Sequence, residues 1–281
     1  MSEATCSLCP HACHLKDGQF GVCGARLARD GQVQAAGFGR ITALALDPIE
    51  KKPLARFQPG SMILSVGGFG CNLRCPFCQN ADISQSRLSP DAIAALRLLP
   101  PQDLVAEALR LRARGNIGVA YTYNEPFIAS EYLEQSARLV HAAGLVNVVV
   151  SNGYINAEPL RQLLPWLDAV NIDLKAFQQS AYDRLGAPRG LECVQESIAL
   201  LATHCHVEVT TLIVPGFNDD EEQIDGIAAW LAAISRDIPL HITRFHPAYK
   251  MLGTPPPRRQ EIFAYVRLAQ RHLNYVYAGN I

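Results

Sequence analysis

From residue 61 onward the chain alternates short apolar runs with helical patterns, and this alternation narrows the fold more than any other feature. MILSV at 62–66 reads as a buried strand by its length and flanking glycines. PQDLVAEALRLRARG has helical spacing and stops at Gly115. GVAYTY, LVNVVV, DAVNID, HVEVTTLIV and LHIT follow as strands. PFIASEYLEQSARLVHAAG and the patterns over 157–165, 178–204 and 219–234 separate them as helices, and a last helix over 258–273 leads into NYVYAG. Six βα-like units imply a parallel sheet covered by helices. The expected class is α/β, a partial (β/α)6 barrel of the TIM type over 61–281. Residues 1–60 form a small Cys-rich module with short Gly-punctuated strands, ending at the turn QPG.

The residues after each strand are the next constraint. The first strand exits into GGFGCNLRCPFCQN, and the second into Asn124-Glu125-Pro126. The third meets Ser151-Asn152-Gly153 and the fourth Asp173-Leu174-Lys175. The fifth ends in Pro215-Gly216-Phe217-Asn218, the sixth in Thr243-Arg244-Phe245-His246. Polar, Gly and Pro residues thus gather at the C-terminal strand ends, where α/β barrels carry their active sites.

Cys71, Cys75 and Cys78 stand within eight residues. Four ligands close a structural zinc site, whereas a catalytic metal keeps one position free. The same logic applies to an iron–sulfur cube: three thiolates anchor three irons and leave the fourth for a small molecule. The preceding glycines allow close backbone approach, and Phe77 would shield one side from water.

A second set, Cys6, Cys9, Cys13 and Cys23, has the spacing C-x2-C-x3-C-x9-C. Four thiolates on so short a segment suit a tetrahedral zinc or a fully ligated auxiliary iron–sulfur cluster, and spacing alone does not choose between them. Cys193 and Cys205 sit in an apolar stretch and read as small buried hydrophobes. With 281 residues, 49% of them hydrophobic and 18% charged, the chain can bury a large core. A net charge of −1 without a basic stripe excludes a dedicated binder of nucleic acid or anionic membrane. No apolar run suits a signal peptide or a membrane span, so a cytoplasmic location is expected, where reduced cysteines serve as metal ligands.

C-x3-C-x2-C after a first barrel strand resembles the radical S-adenosylmethionine (SAM) superfamily, and within it the activating enzymes of glycyl radical enzymes. DPIEKKPL, GCNLRCPFCQN, YTYNEP, SNGYI, NIDLKAF, PGFND and RFHPAYKM together resemble the radical SAM protein of the AmmeMemoRadiSam system, from Cys6 to the C-terminus. The resemblance implies a 4Fe-4S cluster on Cys71, Cys75 and Cys78, with SAM on the open iron, and a 5′-deoxyadenosyl radical that takes hydrogen from a substrate. That substrate would be a protein glycine or a small molecule. An electron donor such as flavodoxin or ferredoxin and Memo-like and AMMECR-like partners are implied with it.

Carried over by position, Asn124, Glu125 and Pro126 stand where the family's Gly-Gly-Glu-Pro loop holds the SAM amino group, with Tyr123 and Asn124 replacing its glycines. Ser151, Asn152 and Gly153 match the turn near the SAM carboxylate and ribose, although Val150 replaces an acid there. Asp173 and Lys175 match a strand end, Val214 a loop beside adenine, and His241 a histidine near SAM. Thr210 replaces an expected arginine. Arg244 and His246 are candidates for substrate contact.

Bland readings stand beside these. Glu125 would favour a helix N-terminus in any case, and Asp173 and Lys175 could pair simply as ions. His204, Cys205 and His206 alternate at a strand start and suit core and surface roles. EKKPLAR at 50–56 reads as a solvated loop. At the level of function, the alternative is a non-catalytic metal protein, either a zinc-stabilised scaffold or an electron carrier.

Overall fold

The computed structural model describes residues 2–281. Its main sheet has eight strands: β1 Ala43–Pro48, β2 Met62–Gly67, β3 Asn116–Tyr121, β4 Val146–Ser151, β5 Ala169–Asp173, β6 His206–Ile213, β7 Leu240–Arg244 and β8 Val276–Gly279. Their spatial order follows the sequence from β8 back to β1, and the two edge strands do not pair with each other. Strands β2 to β8 run parallel, so the sheet is an open barrel wall built from six crossovers. The helices α1 Pro101–Arg110, α2 Ser130–Ala142, α3 Ala157–Leu163, α4 Gly190–Ala202, α5 Glu221–Ile234 and α6 Arg259–Ala269 supply one crossover each. Among the described residues, no helix is long and apolar enough to cross a membrane.

Local chemistry places these elements. Pro101 opens α1, and Gly115, at φ 84°, ends the turn after it. The Asp220 side chain caps α5 by accepting from the Gln223 N–H at 2.8 Å. The expected helix over 178–204 is two pieces, Gln179–Arg184 and α4, separated by a turn containing Gly186 and Pro188. The tail NYVYAG forms the seventh parallel strand, because α6 returns it alongside β7 in the register His241↔Tyr277. At the other edge, β1 pairs antiparallel with β2 from Ala43↔Gly67 to Pro48↔Met62. The main sheet thus runs across the division expected at residue 60.

The 50–56 stretch is not a solvated loop. It leaves β1, enters the N-terminal mouth of the barrel and closes it. Ile49 and Leu54 are fully buried there against Ile63, Ala120, Val148 and Ala169. Pro53 C=O accepts from the Asn171 amide at 2.7 Å. The fully buried Glu208 carboxylate on β6 accepts from the backbone N–H groups of Ala55 (2.9 Å) and Arg56 (2.7 Å), and from the His206 and His241 rings at 2.9 and 2.6 Å. Lys52 is buried on Asp47 at 2.9 Å. Of the charges in EKKPLAR, Lys52 is spent inside the molecule while Glu50, Lys51 and Arg56 stay exposed, and two apolar residues, Ile49 and Leu54, anchor the segment.

Burial alone would raise the Glu208 carboxyl, but the two histidines and the two N–H groups outweigh it and bring the group down to about 2. A depressed carboxyl stabilises fully above its ordinary value near 4.5, and that stability is lost as pH falls toward 2. Glu208→Ala should cost about 3 kcal/mol, since it strands the groups that bond the carboxylate. Glu208→Gln should flatten the fall of Tm between pH 5 and pH 3, roughly the window set by this shift. Thermal unfolding across that range, with wild type and both variants, checks this.

Candidate active site and cluster loop

The loop from Gly68 to Gln79 has no regular structure, so its neighbours must hold it. Gly70, at φ +80°, lets it pass the N-terminal module: a Cβ there would lie 2.6 Å from Cys23 C=O. The Cys71 N–H donates to that same carbonyl at 3.2 Å. Arg74 N–H donates to Leu185 C=O at 2.9 Å, and the Lys250 N–H reaches Pro76 C=O at 3.0 Å. Donors also meet the sulfurs. Cys71 Sγ receives the Leu73 N–H at 3.4 Å and the Asn152 amide at 3.5 Å, and Cys78 Sγ lies 3.1 Å from Ser84 Oγ. Such contacts favour thiolate and tune a bound cluster. Burial pushes the Cys75 thiol up to about 12, while burial and then Glu125 raise Cys71. Metal loading must therefore displace protons here.

All three cysteines line one cleft of ≈ 350 Å³ at the C-terminal strand ends. Phe77, Asn124, Glu125, Ser151, Asn152, Asp173 and Lys175 line it with them, so the structure gathers most of the expected set. Glu125 is 2% exposed and accepts three hydrogen bonds, from Phe127 N–H (3.0 Å), Ser151 Oγ–H (2.8 Å) and Asn152 N–H (2.9 Å). Among the described residues it has no ion-pair partner. Burial pushes its carboxyl up to about 7 against the pull of those three donors. A buried carboxylate facing a cleft without a cation of its own can receive a positively charged group. Gly153, at φ +69°, turns the chain after β4 where a Cβ would lie 2.8 Å from Ile172. Asp173 and Lys175 do pair, at 2.8 Å, and they do so on the cleft wall. Burial would lower the Lys175 ammonium, but Asp173 and then Cys75 raise it, so its positive charge faces the thiol loop.

The two residues that replace the family's glycines each have a structural role. Tyr123 adopts φ +72°, a left-handed conformation natural to glycine. Its ring hydroxyl donates to Asp47 at 2.8 Å, and the Lys52 ammonium stands 4.9 Å from the ring centroid. Asn124 adds a side chain that a glycine lacks. Its Oδ1 accepts from Gly68 N–H at 2.9 Å, and its amide donates to Phe69 and Gly70 carbonyls at 3.0 and 3.2 Å. The exit of β3, which carries Glu125, is thereby tied to the cysteine loop.

Several expected residues lie elsewhere. His241 turns its ring to Glu208 and stacks on Tyr277 at 5.2 Å, away from the cleft wall. Arg244 donates to Pro257 C=O at 2.7 Å, His246 is exposed, and the structure brings neither to the cleft. Val214 and Pro126 are buried behind it. Phe77 packs edge-on against Phe217 at 5.2 Å, which places an apolar wall beside the cysteines. His204 is exposed, Cys205 half-buried, and Cys193 buried with its thiol on Ile155 C=O at 3.2 Å. Sequence reasoning missed Asn72, whose amide bonds Tyr154 C=O (2.7 Å) and whose oxygen accepts from Asn152 (2.9 Å). It also missed Lys51, Asn80, Leu212 and Asn280 on the wall. The one signal in the sequence was Asn72 standing directly after Cys71.

A Radical SAM superfamily model matches residues 65–231, which hold the cysteine loop and four of the strand exits. The chain belongs to the radical SAM superfamily. An uncharacterised protein of Methanocaldococcus jannaschii is 37% identical over 283 residues, spanning 100% of this chain and 82% of that protein. The pyruvate formate-lyase-activating enzyme of Staphylococcus epidermidis is 23% identical over 227 residues, 73% of this chain and 86% of the enzyme. A domain of the pyruvate-formate lyase-activating enzyme from Bacteroides vulgatus superimposes with a TM-score of 0.51 at 19% identity, covering 58% of this chain and 99% of that one. Streptococcus suis SuiB bound to S-adenosylmethionine gives 0.55 at 13%, covering 77% and 51%. These structures share the fold of this radical SAM chain, a parallel sheet forming a partial barrel.

Asn124→Ala removes three bonds to the cysteine loop while leaving the backbone able to fold. Iron retained after anaerobic isolation should fall measurably below the wild-type content, since each lost bond is worth about 1 kcal/mol. Iron analysis beside circular dichroism checks this; full iron content would mean that the strap is dispensable.

Proposed function

We propose that this chain is a radical SAM enzyme of the activating-enzyme type, with Cys71, Cys75 and Cys78 holding a 4Fe-4S cluster and Glu125 receiving the SAM ammonium. One observation carries the reading: among the described residues three cysteines, and no fourth, line the cleft that the uncompensated Glu125 carboxylate faces. The donor set fits the cluster, since thiolates are its usual ligands and N–H groups already point at the sulfurs. When bound, cluster and SAM supply reductive cleavage of the sulfonium and a 5′-deoxyadenosyl radical that removes hydrogen from the substrate.

The chain's own residues then do the positioning. Glu125 holds the ammonium end, Asn152 and Ser151 fix the carboxylate of Glu125, and Lys175 offsets the negative charge of the thiolate loop. Phe77 excludes water on one flank. Lys51, Tyr123, Thr210, Thr243 and Asn280 are further polar residues of the wall and face the substrate. The relatives named as activating enzymes favour a glycine on a protein loop as the hydrogen donor; a small polar molecule handled with Memo-like and AMMECR-like partners is the reading that the AmmeMemoRadiSam resemblance favours. Either requires a one-electron donor of the flavodoxin or ferredoxin class, and a reducing compartment such as the cytoplasm. A non-catalytic carrier or zinc scaffold fits less well, because its site would be closed by a fourth ligand.

Anaerobic protein should show a changed electron paramagnetic resonance spectrum on adding SAM, and should release 5′-deoxyadenosine on reduction with dithionite. An unchanged spectrum with no nucleoside would overturn the assignment. Glu125→Gln keeps shape but removes the charge. It should weaken SAM binding about tenfold or more, equivalent to about 1.4 kcal/mol or more, with iron content unchanged.

A further inference from the structure

The N-terminal cysteines lie outside the cleft and take no part in the proposed SAM site. Residues Glu3–Thr5 and His14–Lys16 pair as an antiparallel hairpin, and Cys6 N–H continues the ladder to Cys13 C=O at 2.9 Å. The chain between them turns tightly, with Ala12 N–H on Cys9 C=O at 3.1 Å. Cys23 lies in a glycine turn whose Gly21 N–H bonds Arg26 C=O at 2.9 Å. Cys6, Cys9 and Cys23 are 7–8% exposed and Cys13 is half-buried. All four are free thiols.

Each sulfur is met by hydrogen-bond donors. Cys13 Sγ receives the Val22 N–H at 3.5 Å. Cys9 is approached by the His11 N–H and the Asn72 amide, and Cys23 by the N–H groups of Ala25 and Arg26. Cys6 lies against the Arg26 guanidinium. Arg26 is 7% exposed, and its terminal nitrogens are fully engaged by Glu131 (2.8 and 3.0 Å), Ile128 C=O and Val33 C=O. Its Nε–H has no partner. A buried donor left over beside a cysteine is satisfied when that sulfur carries charge. Neutral thiols need no such surroundings; metal-bound thiolates do. The same N–H arrangement, from the residue two places on, recurs at Cys9, Cys23 and Cys71.

We infer that Cys6, Cys9, Cys13 and Cys23 hold a second, fully thiolate-ligated iron–sulfur cluster, docked on the back of the Cys71 loop. One observation favours a cluster over zinc: the two cysteine sets are joined directly, as two redox centres that exchange an electron would be. Cys23 C=O accepts from Cys71 N–H, and Asn72 connects Cys9 to Asn152, which reaches Cys71 Sγ.

The inference is independent of the SAM reading, because it is tested without the Cys71 set. The variant Cys71→Ala/Cys75→Ala/Cys78→Ala, isolated anaerobically and checked for folding by circular dichroism, should retain iron and acid-labile sulfide with visible charge-transfer absorption. Adding Cys9→Ser and Cys23→Ser should remove both. Zinc in place of iron, disulfides by thiol titration, or folded protein without metal would each overturn the inference. Should the triple variant fail to fold, Cys9→Ser/Cys23→Ser in the otherwise intact chain decides. Iron should fall by about half, the share of one cube in two, while the SAM-dependent spectral change persists. Unchanged iron would refute it.

Discussion

The cysteine loop is long, irregular and half-buried, so its conformation is set by hydrogen bonds arriving from several separate parts of the chain. Asn124 reaches it from the exit of β3, Asn152 from β4, Cys23 C=O from the N-terminal module, and Leu185 C=O from the turn before α4. Each of those donors or acceptors sits on an element fixed by the sheet or by a helix packed on it. The barrel thus contributes convergence: parallel strands end together, and the residues just past those ends can all be bonded to a single loop. Removing any one contact costs little in global stability, since each is worth about 1 kcal/mol. Their combined effect is geometric, because ligand sulfurs must be placed before a metal can bind well.

Strain is concentrated at one point of this arrangement. Tyr123 holds a left-handed backbone that costs a non-glycine residue about 1 kcal/mol or more. The compensation is visible in its hydroxyl bond to Asp47 and in the Lys52 charge over its ring. Lys52 belongs to the segment that closes the barrel, and Asp47 to the end of β1 that leads into it. The loop that presents Glu125 is therefore braced from below by the plug and from above by the cysteine loop.

Much of this was legible in the sequence. Strand exits rich in Asn, Asp, Glu and Gly announced the cleft, and cysteine spacing announced the loop, because residue type and spacing are local properties. The plug was not legible. EKKPLAR is polar by composition, and only tertiary placement shows that Lys52 and the Ala55–Arg56 backbone are neutralised inside. The inward glutamate of HVEVTTLIV gave no sign of its partners, so His241 could not be separated from the cleft residues it resembles by position. Arg244 ends β7 and His246 follows it, at the same end of the sheet as the wall residues, yet side-chain direction at a strand end depends on the next turn. The conformation of Tyr123 was hidden for a related reason: nothing in an aromatic residue signals a glycine-like backbone.

The sealed N-terminal mouth has a consequence for traffic. With Ile49 and Leu54 stoppered against Ile63 and Val148, that end admits nothing. Reactants and spent fragments must pass instead on the cysteine side or through the gap between the unpaired edge strands, so nothing reaches Lys51 and Thr210 from beneath.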